Sequence, residues 1–352
     1  MAEKVEGSSM YWGRLGGIGA ALAVAIPVFT APAVAAGQEL PLSGFGDLAV
    51  DSAHERVFVS GGASSNGVVV ADFSGRVRTT IANQPGADGL ELSADGTKLY
   101  VALSAGDGIS VIDTATLTET ARHSTGPGTC PTHLARTGSV VWFGYGCEDG
   151  NWSGKIGSLD PAAAPPVQGD LQGATRFQRA PLVVSSGAAA GPLVAGQLSL
   201  SQSLVQVYNV SGGALTAGTS GDVVGAGLTD LEVSGDGATL FSAAGSRDRV
   251  EAFATADLAR RGAYATRPRP AAVSLSPDSV HLAAGALTSD SHDVLVYRAG
   301  GVTPVKTISL DSGETVQPRG LAWSADQRRL FIISRHDNDP EPHLEIERYP
   351  VG

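Results

Sequence analysis

Five potential ligands fall within eight residues in the segment RHDNDPEPHLE, where His336, Asp337, Asp339, Glu341 and His343 stand at mostly alternate positions. Oxygen and imidazole groups spaced in this way can surround a hard cation, Ca²⁺ or another divalent ion. The order departs from an Asp-x-Asp-x-Asp-Gly loop, and Pro340 and Pro342 stiffen the segment, so the competing reading is a structural loop. The seven histidines, His54, His123, His133, His281, His292, His336 and His343, are scattered along the chain. General acid–base chemistry needs a histidine and a carboxylate side by side, and His133 with Asp88 or Asp230 is the pair to test. No Gly-x-Ser-x-Gly elbow, His-Glu-x-x-His pair or glycine-rich phosphate loop occurs, so no linear motif assigns a catalytic residue. The two cysteines, Cys130 and Cys147, flank the segment CPTHLARTGSVVWFGYGC. Their simplest reading is a disulfide, because a metal site would need more ligands than His133 supplies.

What must position these groups is a repeat. The stretch GLELSADGTKLYVALSAGDGISVID, beginning at Gly89, alternates apolar and polar residues between Gly- and Asp-rich breaks. Related stretches begin at Asp47, His133, Pro181, Asp230, Ala272 and Gly320, at intervals of 42 to 49 residues. Each copy continues into a third alternating segment, such as VVVADFSG from Val68, and a weaker fourth, such as RVRTTIA from Arg76. A period of this length holding four short strands predicts a β-propeller blade, since one four-stranded sheet cannot bury both faces without neighbours. The 46 glycines and 19 prolines suit many strands joined by tight turns. The fold predicted is all-β, a seven-bladed β-propeller. The last copy stops after its third strand, so Gln38 to Ser43 is expected to supply the fourth and close the ring. In four copies the first hairpin reads Ser-x-Asp, at Ser93, Ser234, Ser276 and Ser324. Side-chain oxygens at such positions bind turn N–H groups, which makes these acids structural.

SADGTKLYVALSAGDGISVIDTATL and its relatives resemble the YVTN or lactonase-like β-propeller repeat, over about Gln38 to Tyr349, with the third and fourth copies the weakest. The leader and the Ala/Gly-rich propeller together resemble secreted actinobacterial proteins. The resemblance implies a ring whose ligands bind at one channel mouth, and lactonase-type or lyase-type members assemble a site there from several blades. On that plan the mouth is lined by Asp47, Asp88, His133, Arg179, Asp230, Arg269 and Arg319. Longer loops on the same face add Glu148, Asp149, Asn151, Trp152, Arg247, Asp248, His292, Asp293, Arg335, His336 and Asp337. No position matches a family active-site motif, so no catalytic role is carried over.

The first 36 residues differ from the rest. Arg14 precedes the uncharged run LGGIGAALAVAIPVFTAPAVAAG, which closes on small residues and reads as a signal peptide cleaved at Ala35 or Ala36, with Met10 as an alternative start. Residues 1–36 are thus expected as leader and 37–352 as propeller, in a secreted or extracellular monomer. A retained N-terminal anchor is the alternative, although Leu15 to Phe29 falls short of the roughly 20 residues of a spanning helix. The formal net charge of −11, without a basic cluster, argues against nucleic acid and anionic membrane surfaces. A protein, a glycan or a small polar ligand remains as partner. The leading functional reading is a binding module, and the alternative is a lactonase-like or lyase-like enzyme at the channel mouth.

Overall fold

The structure, a computed structural model, describes Met1 and residues 37–147, 152–288, 292–339 and 341–349. Apart from Met1, the expected leader lies outside the described residues, as do Glu148, Asp149 and Asn151. Residues 37 onward belong to one compact unit. Among the described residues its regular elements are all strands, grouped in seven antiparallel four-stranded sheets.

Each sheet is one repeat. The innermost strands of blades 1 to 7 are Leu48–Asp51, Ala87–Leu92, Pro131–Thr137, Leu182–Ser185, Leu228–Val233, Pro270–Leu275 and Glu314–Trp323. Each packs beside the next, and the first packs against the last, which closes the ring. Both faces of a blade are therefore buried, and apolar residues occupy both sides of the middle strands instead of alternating. Between blades 7 and 1, for example, Leu48, Val57, Val59 and Phe73 pack against Phe331 and Ile333, with the Phe73 and Phe331 rings 4.8 Å apart. Burying each such side chain is worth about 1.5–3 kcal/mol.

Closure follows the expected plan with a shorter strand. Gln38 and Glu39 pair with Leu344 and His343 at the outer edge of blade 7. Leu40 adds one bond to the Pro342 carbonyl, 2.9 Å, before Pro41, which has no N–H to continue the ladder. The Ser-x-Asp hairpins hold the geometry anticipated for them. The hydroxyls of Ser93, Ser276 and Ser324 each donate to the aspartate two residues on at 2.6 Å, and Ser234 does the same to Asp236. Each serine also accepts an N–H across the turn, as from Lys98 at 2.9 Å. The serine hydroxyl, then the Thr97 N–H, hold the Asp95 carboxyl down to about 2.

Cys130 and Cys147 form the expected disulfide, joining the loop before the innermost strand of blade 3 to the loop after its second strand. Asp107 of blade 2 pins the same loop, accepting the N–H groups of Gly128, Thr129 and Cys130 at 2.7–3.0 Å. With 17 residues of separation, replacing both cysteines by serine is expected to cost about 3 kcal/mol in the loop-entropy account. Chemical denaturation under oxidising conditions, wild type against the double variant, checks this.

Candidate functional site

The innermost strands surround a channel cavity of about 340 Å³, whose wall includes Asp47, Glu91, Asp230, Glu232 and Arg319. Two of the acids do the same mechanical work. Asp47 accepts its neighbour's N–H, from Leu48 at 3.0 Å, and the N–H of Leu90 in the next blade at 3.1 Å. Asp230 repeats this with Leu231 and with Val273 of the next blade, both at 2.8 Å. Each carboxylate therefore staples one innermost strand to the following one.

Arg319 crosses the mouth. From blade 7 its guanidinium donates to the Gly46 carbonyl before blade 1, and to His133 Nδ1 of blade 3 at 3.0 Å. Asp47 and Asp88 lie 3.6 and 3.7 Å away, and Arg319 itself is only 14 % exposed. The arginine sits in a left-handed backbone conformation, φ 63°, beside a bulge in its strand between Val316 and Leu321. A non-glycine residue rarely adopts that conformation, and such strain persists only where surrounding contacts over-determine it. His133 must be neutral with its proton on Nε2 to accept from the guanidinium. Burial, then the charge of Arg319, push its pKa well below the ordinary value.

The structure thus brings Asp47, Asp88, His133 and Arg319 into one network, with Asp230 on the same cavity. His133 pairs through Nδ1 with Arg319. Arg269 lies in a loop before blade 6, where its backbone bonds to Arg247 and Leu287, and Arg179 sets its carbonyl against Gly154.

Two channel residues were not singled out from the sequence, Glu91 and Glu232. They occupy the same place in blades 2 and 5, the middle of Leu-Glu-Leu and Leu-Glu-Val, where the other copies carry Ala49, Ala135, Val183, Ser274 and Ala322. A glutamate at a position otherwise filled by small or apolar residues was the available signal. Arg136 Nε lies 3.4 Å from Glu91 and donates to the Leu92 carbonyl at 3.0 Å, while Nη1 donates to the carbonyls of Gly138 and Gly187. Burial raises Glu91 and Asp230 to about 7, and burial, followed by the charges of Asp230 and Glu91, raises Glu232 to about 8. Among the described residues, Asp47, Asp88, Glu91, Asp230 and Glu232 gather about the channel with Arg136 and Arg319, and Glu91, Asp230 and Glu232 hold their protons to neutral pH or above.

Three residues of the 336–343 segment have separate partners. Asn338 donates its backbone N–H to His336 Nδ1 at 3.3 Å, Asp339 caps the Glu341 N–H at 3.0 Å, and His343 turns into blade 7 to meet Glu314. Among the described residues no three His, Cys, Asp or Glu side chains gather as a metal-holding set. A second groove, about 350 Å³, lies on the opposite face near Lys98, Tyr100 and Asp160, but its Ser93 and Asp95 are already engaged in a turn.

No family model and no curated protein matches this chain. Solved structures do. A chain of the Mitotic Checkpoint Complex superposes with a TM-score of 0.69 at 17 % identity, covering 97 % of this chain and 99 % of that one. Kuenenia stuttgartiensis hydrazine synthase gives 0.66 at 15 %, covering 89 % and 98 %. The β-propeller domain of Myceliophteria thermophila Cps50 (Swd1) gives 0.64 at 12 %, covering 89 % and 99 %. The likeness is one of fold. Among the described residues no helix is long and apolar enough to cross a membrane.

Proposed function

We propose that this propeller is an exported binding module whose channel mouth receives a positively charged group of its ligand. One observation carries the reading: Arg319 spans the mouth and takes the lone pair of His133 Nδ1, so the imidazole that could serve as a base is engaged by a cation. Below this bridge the wall keeps Glu91, Asp230 and Glu232, three carboxyls against Arg136, which suits an amine or guanidinium better than an anion. Likeness to a chain of a multi-protein complex supports an interaction role. Export rests on the leader, residues 1–36, with its small-residue close before Gly37.

The competing lactonase-like or lyase-like reading requires His133 to act as a base. Calorimetric titration with a short lysine- and arginine-rich peptide, beside a glutamate-rich peptide and panels of lactones, separates the two. Binding of the basic peptide that weakens with salt and weakens about tenfold in Glu232→Gln is the expected result. Lactone hydrolysis abolished by His133→Gln would overturn the binding reading.

A further inference from the structure

Blade 7 encloses a second acidic cluster, remote in role from the channel and centred on two buried glutamates. Glu314 and Glu345 are 4 % and 3 % exposed and share a side-chain hydrogen bond. The hydroxyl of Ser334, fully buried, lies 3.1 Å from Glu314 and 3.3 Å from Glu345, and His343 Nδ1 meets the other Glu314 oxygen. The charged groups acting on the cluster and its rim, Asp311, Glu39, Asp339 and Glu341, are acidic too, and His343 is its basic member. Burial, then the hydrogen bond and charge of Glu314, push Glu345 up to about 9, so one carboxylate, one protonated carboxyl and one imidazole share this enclosure, and a cation beside Glu345 would take the place of the held proton.

The strand register brings one particular residue to this place. Gln38 pairs with Leu344 and Glu39 with His343, so the next pair in the ladder is Gly37 with Glu345. A Cβ on Gly37 would lie 2.9 Å from Glu345 Oε1 and 3.0 Å from both Glu345 Cγ and His343 Cβ, so a larger residue would have to displace these side chains. Nitrogen and Cβ on one Cα are about 2.5 Å apart, which puts the Gly37 nitrogen within about 5.4 Å of that oxygen. In the uncut chain this nitrogen is a neutral amide. Cleavage before it would turn it into an ammonium group, a cation with three donors. From the sequence the cut falls after Ala35 or Ala36, and the second choice makes this very nitrogen the chain terminus.

We propose that processing occurs between Ala36 and Gly37, and that the new α-ammonium group of Gly37 enters the Glu314–Glu345 cluster and locks the closing strand of the ring. The peptide bond is hydrolysed, with water supplying its oxygen to the new Ala36 carboxylate and both of its protons to the new α-ammonium group. This rests on the export reading above, and it adds to export a structural consequence: the ring is fastened when the leader is removed. An N-terminus at Ala36 would carry its charge one residue, about 3.5 Å along the strand, from the cluster.

Every strand of the ring, including Gln38–Glu39, lies after residue 36, so the chain 37–352 holds the whole fold. The test compares that chain with its Nα-acetylated form, identical but for the terminal charge, and repeats the comparison in Glu345→Gln. Acetylation is expected to lower the unfolding temperature at pH 7 by about 5 °C in the parent. In the Glu345→Gln chain the difference should shrink to under about 2 °C. An unfolding temperature indifferent to acetylation, or an equal loss in Glu345→Gln, would overturn the pairing. The intact mass of protein exported by its own host judges the cleavage separately: a first residue of Gly37 supports it, and any other first residue overturns it whatever the unfolding temperatures show.

Discussion

Replacing Arg319 by methionine is expected to destabilise the fold by about 4 kcal/mol, because removing one partner from an enclosed charge network leaves the others unpaired. The side chain contacts Gly46, Asp47, Asp88 and His133, so its loss touches blades 1, 2 and 3 as well as its own. Methionine keeps much of the volume and the same left-handed backbone demand at φ 63°, so the loss reports the guanidinium. Lysine at this position keeps a point charge but not the planar fork, and should recover less than half of the loss. The sign of the pH effect separates electrostatics from packing. Burial raises Asp47, while the charge of Arg319 and the N–H groups of Leu90 and Leu48 hold it down. Without the arginine that carboxyl takes up protons more readily, and a protonated carboxyl needs no counter-charge. The destabilisation measured by urea unfolding should therefore be smaller at pH 5 than at pH 8, whereas a packing defect would cost the same at both.

The division between what the sequence displays and what it hides follows from the range of the interactions. Blade count, turn positions and ring closure depend on alternation and on local Ser-x-Asp hydrogen bonds, two residues apart as at Ser93 and Asp95. The closing strand is shorter than Gln38 to Ser43 because Pro41 interrupts the ladder, a local effect whose residue was in plain view. The Cys130–Cys147 bridge is equally local, spanning one blade. The channel network is of another kind. His133 and Arg319 are 186 residues apart and meet only because seven blades bring the first and last parts of the chain around one axis. Placing residues on the mouth is therefore possible from the repeat register, whereas pairing them is not. His133 beside Asp88 or Asp230 was chemically reasonable, and the bond seen at Nδ1 comes from a donor in blade 7. Glu91 and Glu232 escaped because each looked like an ordinary polar step in an alternating strand, although the other five copies place small or apolar side chains there.

Stability is expected to peak near pH 5 and to fall steadily toward pH 9, an argument that starts from those same glutamates. Asp230 and Glu91 titrate at about 7 and Glu232 at about 8, each raised first by burial, against ordinary carboxyl values near 4 in the unfolded chain. A folded value above the unfolded one means that the native state holds its protons longer. The contribution is complete below about pH 4, declines as the unfolded chain ionises and the folded one does not, and is gone once the pH passes about 8. The turn aspartates work in the opposite sense. Asp95, Asp236, Asp278 and Asp326 are all held low, chiefly by their serine partners and turn N–H groups, with burial opposing and largest at Asp278. Their support is present above about pH 4 and disappears as acid protonates them, which closes the stable window from below. Unfolding temperatures across pH 3 to 10 should trace this asymmetric dome, dropping roughly 10 °C on the alkaline side. In Glu91→Gln/Glu232→Gln the alkaline limb should flatten while the acid limb stays in place, because the two limbs belong to groups at different depths of the ring. An alkaline limb unchanged in that variant would place the held protons elsewhere and remove the reason for expecting a positively charged guest in the channel. A basic ligand that binds there should flatten the same limb in the parent protein, since its charge replaces the protons that the wall gives up.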